Sequence, residues 1–317
     1  MSLVGKSFLS SKQLSDKDLK EIFARTELFK KEFMAKGRID NLINGDEAKQ
    51  KVLALVFSEP STRTRTSFQI AALRLGIRIV MLDNPSVSSL QKGETFLDTL
   101  KNVAAMKPDA LVVRYGMDRE ADDTLESLGT PVINAGIGTM EHPTQALLDA
   151  YTILENRGKL EGEKVLIVGD VLHSRVANSN LVLLNMLGAE VAYCAPEEFV
   201  PRQEAWKGIK SFAQLDDGIK WATALMGLRI QKERHGQQQG IGLTVAEYRD
   251  KYRIGGDNLK LFNKDGIILH PGPVNRGIEI SSYALNDPRC RILDQVTNGV
   301  FVRAALISFI LGLEVQK

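Results

Sequence analysis

The segment Ser61-Thr62-Arg63-Thr64-Arg65 sets hydroxyls and guanidinium groups in an unbroken row, directly after an apolar run that ends at Ser58-Glu59-Pro60. Placed where a strand gives way to a helix, such a row makes a phosphate cradle without a glycine-rich loop. The first-turn N–H groups are unpaired and carry partial positive charge, the hydroxyls add donors, and Arg63 adds a forked cation. The plainer alternative is a helix cap followed by two solvated arginines, because Ser and Thr are common caps. His142-Pro143-Thr144-Gln145 follows the loop Asn134-Ala135-Gly136-Ile137-Gly138. A histidine there can donate to a carbonyl oxygen that gains charge during a reaction, or it can be a structural histidine near a helix start. Gly136-Ile137-Gly138 lacks the third glycine of a dinucleotide loop and no phosphate-loop lysine follows, which argues against a nucleotide site.

More cations lie elsewhere. Ser88-Ser89-Leu90-Gln91-Lys92-Gly93-Glu94 is a polar, glycine-bearing loop that can present a cation or simply be a solvated surface loop. Arg175 and Arg229-Ile230-Gln231 each follow the end of an apolar run. Two arginines suit a dicarboxylate, since each can grip one carboxylate through two parallel hydrogen bonds; either alone reads as a surface ion-pair partner. His270-Pro271-Gly272-Pro273-Val274-Asn275-Arg276 fixes a loop whose carbonyls can accept from an amide-like NH2, or makes only a rigid turn.

The apolar pattern supplies a frame for these residues. A first helix starts after a Ser15 cap, with Leu19, Ile22, Phe23 and Phe29 on one face. Val52–Phe57, Ile77–Leu82, Ala110–Val113 and Val132–Ala135 read as strands. Helices are predicted over Thr66–Leu75, closed by a left-handed Gly76, over Phe96–Met106 and over Pro143–Glu155. In the second half, strands Val165–Val168, Val191–Cys194, Ala222–Met226 and Ile267–Leu269 accompany helices Val176–Leu187 and Val296–Leu313. Short apolar strands alternating with helices predict an α/β fold of parallel sheets covered on both faces. Such sheets bind ligands at the carboxyl ends of their strands.

The bulk numbers fit. A chain of 317 residues is long for one domain and suits two. Near-balance between 41 basic and 39 acidic residues argues against a general nucleic-acid binder, though not against a local pocket for a small anion. No apolar stretch approaches the ~20 residues that span a bilayer, and Met1–Asp18 has no secretory pattern, so neither membrane span nor leader is expected. Cys194 and Cys290 lie far apart with no metal-type spacing and are expected to be inert thiols, which suits a reducing cytoplasm.

Taken together, Ser61-Thr62-Arg63-Thr64-Arg65, the loop ending Lys92-Gly93-Glu94, His142-Pro143-Thr144-Gln145 and His270-Pro271-Gly272-Pro273 resemble the transcarbamylase family over nearly the whole chain. The last segment is of the aspartate-using type; ornithine-using members carry His-Cys-Leu-Pro there. The resemblance implies two doubly wound parallel-sheet domains with the active site between them: residues 1–143 plus 297–317 for carbamoyl phosphate, and 144–296 for aspartate. It implies transfer of the carbamoyl group of carbamoyl phosphate to the amino group of L-aspartate, early in pyrimidine biosynthesis, with no cofactor and no metal. By the same resemblance Ser61, Thr62, Arg63, Thr64 and Arg114 hold the phosphate, and Thr64, Arg114 and His142 polarise the carbamoyl oxygen. Gln145 and the carbonyls near Pro271 and Gly272 bind the carbamoyl nitrogen, while Arg175, Arg229, Gln231 and Lys92 bind aspartate. Ser88 and Lys92 reach a neighbouring subunit's site, which implies a homotrimer, with regulatory chains or another pyrimidine-pathway enzyme as further partners. This chain departs from the family pattern at Ile137, where Asp is usual, at Glu141, where Gln is usual, and at Tyr115, where His is common. A carboxylate at Glu141 can favour a charged His142.

Overall fold

The computed structural model describes residues 2–83, 94–116, 122–139, 141–230 and 244–316. The chain divides into two units, Met1–Leu148 with Val296–Lys317, and Asp149–Gln295.

In the first unit, α1 (Asp16–Lys36) starts at Ser15, whose hydroxyl accepts from Asp18 N–H in a capping box, and ends at Gly37 in the left-handed region. A short α2 (Gly45–Ala48) leads into β1 (Val52–Phe57), followed by α3 (Thr62–Arg74) and β2 (Arg78–Asp83). Then come α4 (Phe96–Ala105), β3 (Ala110–Tyr115), α5 (Asp122–Glu126), β4 (Val132–Ile137) and α6 (Pro143–Arg157), which runs on into the second unit. The sheet is parallel with order β2-β1-β3-β4. β1, β3 and β4 are almost wholly buried, as their unbroken apolar runs demand of strands covered on both faces. α4 buries Phe96, Leu100 and Val103 at helical spacing against Val56, Leu111 and Val113. Each such buried side chain contributes roughly 1.5–3 kcal/mol. Along the free edge of β4, Phe8 forms a parallel bridge with Ile133.

The second unit continues with β5 (Lys164–Val168), α7 (Arg175–Met186), β6 (Glu190–Cys194), β7 (Lys210–Ser211), α8 (Leu215–Trp221) and β8 (Ala224–Gly227). It ends with α9 (Val245–Tyr252), β9 (Ile267–Leu269), α10 (Ser282–Leu285) and the start of α11 (Ile292–Ile310), whose remainder belongs to the first unit. This sheet is also parallel, in the order β7-β6-β5-β8-β9. No helix among the described residues is long and apolar enough to cross a membrane.

The sheet orders fix where ligands belong. In a doubly wound sheet the crevice opens where strand order reverses, outside the carboxyl ends of the two central strands. In the first unit those strands are β1 and β3; in the second they are β5 and β8.

Candidate active site

In the first unit the register pairs Phe57 with Arg114, so β1 ends directly beside that arginine. The Ser58 N–H donates to the Arg114 carbonyl at 3.0 Å. The chain then enters α3 four residues earlier than apolar spacing alone indicates, because Thr62-Arg63-Thr64-Arg65 carries no apolar period yet forms the first turn. Ser61 occupies the cap position, but its hydroxyl makes no capping hydrogen bond. Ser15, Thr95, Ser174, Thr244 and Ser281 do accept first-turn N–H groups at their own helices. Ser61 therefore does not cap α3 through its hydroxyl. Thr62 and Arg63 are exposed on that turn, whereas Thr64 is buried.

Thr64 Oγ1 stands 3.4 Å from His142 Nε2, and Thr144 Oγ1 stands 3.4 Å from His142 Nδ1. His142 is buried at the entry to α6, where its carbonyl accepts from Gln145 N–H at 2.9 Å. Gln145 is buried one turn further on. Arg114 donates from Nη1 to the Ala135 carbonyl at 3.2 Å and pairs through Nε with Glu59 at 3.1 Å. The first unit thus gathers Ser61, Thr62, Arg63, Thr64, Arg114, His142 and Gln145 around the carboxyl ends of β1, β3 and β4.

In the second unit Val168 pairs with Gly227, and Leu228 N–H donates to the Val168 carbonyl at 2.8 Å. Arg175, buried, is the first residue of α7, behind the Ser174 cap. Arg229, half-buried, follows the end of β8. Both arginines thus follow the strands that flank the reversal point. Past β9, His270 is buried and pins its loop: its Nδ1 accepts from Gly272 N–H at 2.8 Å, and its Nε2 lies 3.3 Å from Glu279 Oε1. Pro271 and Gly272 are half-buried, and Gly272 takes a positive φ of 67° that favours glycine. Ser88, Lys92 and Gln231 lie outside the described residues.

The departures from the family pattern have local explanations. The Ile137 side chain is buried in the apolar core with Phe96 and Val113. Tyr115 stacks on Phe96 with ring centroids 4.0 Å apart. The Glu141 carboxylate turns to the N-terminal segment, accepting from Ser10 Oγ at 2.7 Å and Ser11 N–H at 3.1 Å. Asn134 Oδ1 accepts from Gly136 and Ile137 N–H, both at 2.8 Å, so these glycine-loop donors serve the fold. Sequence reasoning did not single out Glu59, Asn134 or Glu279; an acid directly before the phosphate segment was the one visible signal. Burial pushes the Cys194 thiol up to about 12, which keeps it protonated and unreactive at neutral pH.

Among the described residues, the two α/β sheets set hydroxyls, arginines and a histidine at strand ends, the donor chemistry of proteins that bind small anions. The particular family follows from comparison. Residues 6–155 match the model of the aspartate/ornithine carbamoyltransferase carbamoyl-P binding domain, and residues 161–310 match that of the Asp/Orn binding domain. The aspartate carbamoyltransferase catalytic subunit of Syntrophotalea carbinolica is 43% identical over 312 residues, covering 98% of this chain and 97% of that one. That of Desulfitobacterium hafniense is 47% identical over 257 residues, covering 81% of each. The structure resembles aspartate transcarbamoylase of Trypanosoma cruzi in complex with carbamoyl aspartate and phosphate, with a TM-score of 0.83, 28% identity and coverage of 98% and 97%. It resembles ornithine carbamoyltransferase of Pyrococcus furiosus equally well in fold, with a TM-score of 0.83, 26% identity and coverage of 98% and 99%. The chain belongs to the aspartate/ornithine carbamoyltransferase family.

Proposed function

We infer that the chain is an enzyme that transfers the carbamoyl group of carbamoyl phosphate to the amino group of L-aspartate, giving N-carbamoyl-L-aspartate and phosphate. The observation that carries this reading is the pairing of an uncapped, hydroxyl-rich helix start with two arginines placed past β5 and β8. The relatives named above, with their aspartate activity, support the same acceptor.

Ser61, Thr62, Arg63, Thr64 and Arg114 hold the phosphate. Thr64, Arg114 and His142 polarise the carbamoyl oxygen, and Gln145 with the carbonyls near Pro271 and Gly272 accepts from the carbamoyl NH2. Arg175, Arg229, Gln231 and Lys92 bind the aspartate carboxylates. The neutral amine of aspartate attacks the carbamoyl carbon, the C–O bond to phosphate breaks, and the amine proton leaves with the phosphate. Negative charge grows on the carbamoyl oxygen and on the departing phosphate, where preorganised donors meet it without rearranging. Holding both reactants in line removes much of the entropic barrier. Ornithine as acceptor is the second reading, favoured by the fold likeness to the Pyrococcus furiosus enzyme. Paired arginines suit the second carboxylate of aspartate and not an ammonium group, so an acceptor assay is expected to give turnover with aspartate alone.

Arg63→Ala is expected to lower turnover by ~100-fold or more with circular dichroism unchanged. A variant that folds and turns over normally removes Arg63 from the phosphate site. The working enzyme is a homotrimer in which Ser88 and Lys92 complete a neighbour's site, and it acts in the cytoplasm. Light scattering should then give about three times the 35.1 kDa chain mass, and a monomer as the active species overturns the trimer.

A further inference from the structure

We propose that Glu141 is a positioning residue which, together with Asn134, makes the N-terminal segment Phe8–Ser11 the support that holds His142 and Arg114 in working orientation. The proposal rests on the reading in which those two residues polarise the carbamoyl oxygen. The segment joins the free edge of β4 in register: Phe8 N–H donates to the Val132 carbonyl at 2.7 Å, and the Phe8 carbonyl accepts from Asn134 N–H at 2.9 Å. From there its next residues reach both ends of the turn that holds the Ala135 carbonyl and leads into His142.

At the outgoing end stands Asn134, fully buried. Its Nδ2 donates to the Leu9 carbonyl at 2.8 Å while its Oδ1 holds the Gly136 and Ile137 N–H groups. The residue locked inside that wrap is Ala135, whose carbonyl accepts from Arg114 at 3.2 Å. At the returning end stands Glu141, bridged to Ile137 across the turn. Its two carboxylate oxygens take one donor each, the Ser10 hydroxyl and the Ser11 N–H. Gln13 in turn closes the segment on itself, its Oε1 accepting from Leu9 and Ser10 N–H at 2.7 and 3.0 Å. His142 is the next residue after Glu141 and faces Thr64. A shift of the Glu141 anchor therefore moves the imidazole against the helix that cradles phosphate.

The chemistry of the anchor sets its tolerance. A carboxylate at this place has two acceptor oxygens for two donors, and charge-assisted bonds of this kind are short and directional. A glutamine keeps one acceptor for the Ser11 N–H and turns its NH2 to the Ser10 hydroxyl, which can accept as well as donate. An alanine keeps neither contact. The anchor acts by geometry, so the amide must serve nearly as well as the acid.

Kinetics of E141A, E141Q, S10A and the S10A/E141A double variant test this, with H142A as control. E141A is expected to lower kcat on the order of 10- to 100-fold, as a displacement near 1 Å does, with the aspartate KM little changed. E141Q is expected to restore most of kcat. S10A is expected to lose less than E141A and to add nothing in the E141A background, because both changes break one anchor. The His142 ring 15N shifts should move in E141A and return in E141Q. An E141A enzyme as fast as wild type overturns the proposal, and so does an E141Q enzyme as slow as E141A, which would assign the effect to charge. Should E141A fail to fold, an S10A enzyme with unaltered kcat and ring shifts overturns it equally. If H142A itself turns over normally, the assignment of the carbamoyl oxygen to His142 fails and takes the proposal with it; a slow H142A with a fast E141A defeats the proposal alone.

Discussion

Arg114 owes its orientation to a carbonyl and a carboxylate, Ala135 and Glu59, and the room for Glu59 comes from a glycine. A Cβ on Gly116 would overlap the Glu59 carboxylate. Gly116→Ala is therefore expected to swing Glu59 off its 3.1 Å pairing with Arg114. Steady-state kinetics should show a several-fold loss in kcat over the carbamoyl phosphate KM, smaller than that of Arg63→Ala, with the fold intact. Unchanged kinetics would mean that Glu59 does not orient Arg114. At this scale the sequence points to candidate reactive groups and says little of the residues that support them. Ser61 to Thr64 and His142 stand out by type and spacing, whereas Arg114 enters only through the family resemblance. Glu59, Asn134 and Glu279 do not stand out, because a supporting carboxylate or amide looks like any surface polar residue until folding brings its partner near. Glu141 drew notice only as a departure, and its carboxylate is met by Ser10 and Ser11, 130 or more positions away in the chain.

Elements that carry a strong apolar period were legible almost to the residue. Val52–Phe57 and Ile267–Leu269 run as strands with the expected bounds. Helix starts were harder to read at α3 and α11, whose first turns are polar or solvent-facing and lack the apolar stripe that marks their interiors, whereas α7 begins within one residue of the expected start, at the buried Arg175. β7 has two residues, both exposed, and so carries no apolar signal at all. α9 did leave a signal in its Thr244…Glu247 capping box. Invisible in the sequence was the polar network that ties elements of the second unit together. Asp149 on α6 accepts from Gln295 on α11 at 2.7 Å and from Asn180 on α7 at 2.9 Å, and Gln295 accepts from His270 N–H at 2.8 Å. Asp149 and Asn180 are fully buried and Gln295 nearly so. Asp149→Ala leaves the amide donors of Asn180 and Gln295 without this acceptor, at a cost of roughly 1–3 kcal/mol for each unmatched group. The same network holds α7, which begins with Arg175, and the loop of Pro271 and Gly272. Urea unfolding should therefore show a lowered midpoint and kinetics a raised aspartate KM, with Asp149→Asn milder in both. A stable variant with unchanged KM would separate the network from the site.

Across the whole molecule, net charge is only +2, yet cations collect at strand ends where the topology asks for a ligand. In the proposed reading each unit supplies cations for one anion, Arg63 and Arg114 in the first and Arg175 and Arg229 in the second. Carbamoyl transfer requires both sets to act on one pair of reactants, and this is the central claim. A phosphonate joined through a short acyl link to aspartate tests it, because such a compound reproduces both reactants at once. Titration calorimetry should find it bound at least ~100-fold more tightly than aspartate or phosphate, as expected of a mimic that shares the contacts of the transition state. Arg63→Ala and Arg229→Ala should each abolish that advantage. Binding no tighter than either fragment, or an advantage that survives one of the two substitutions, would contradict the account.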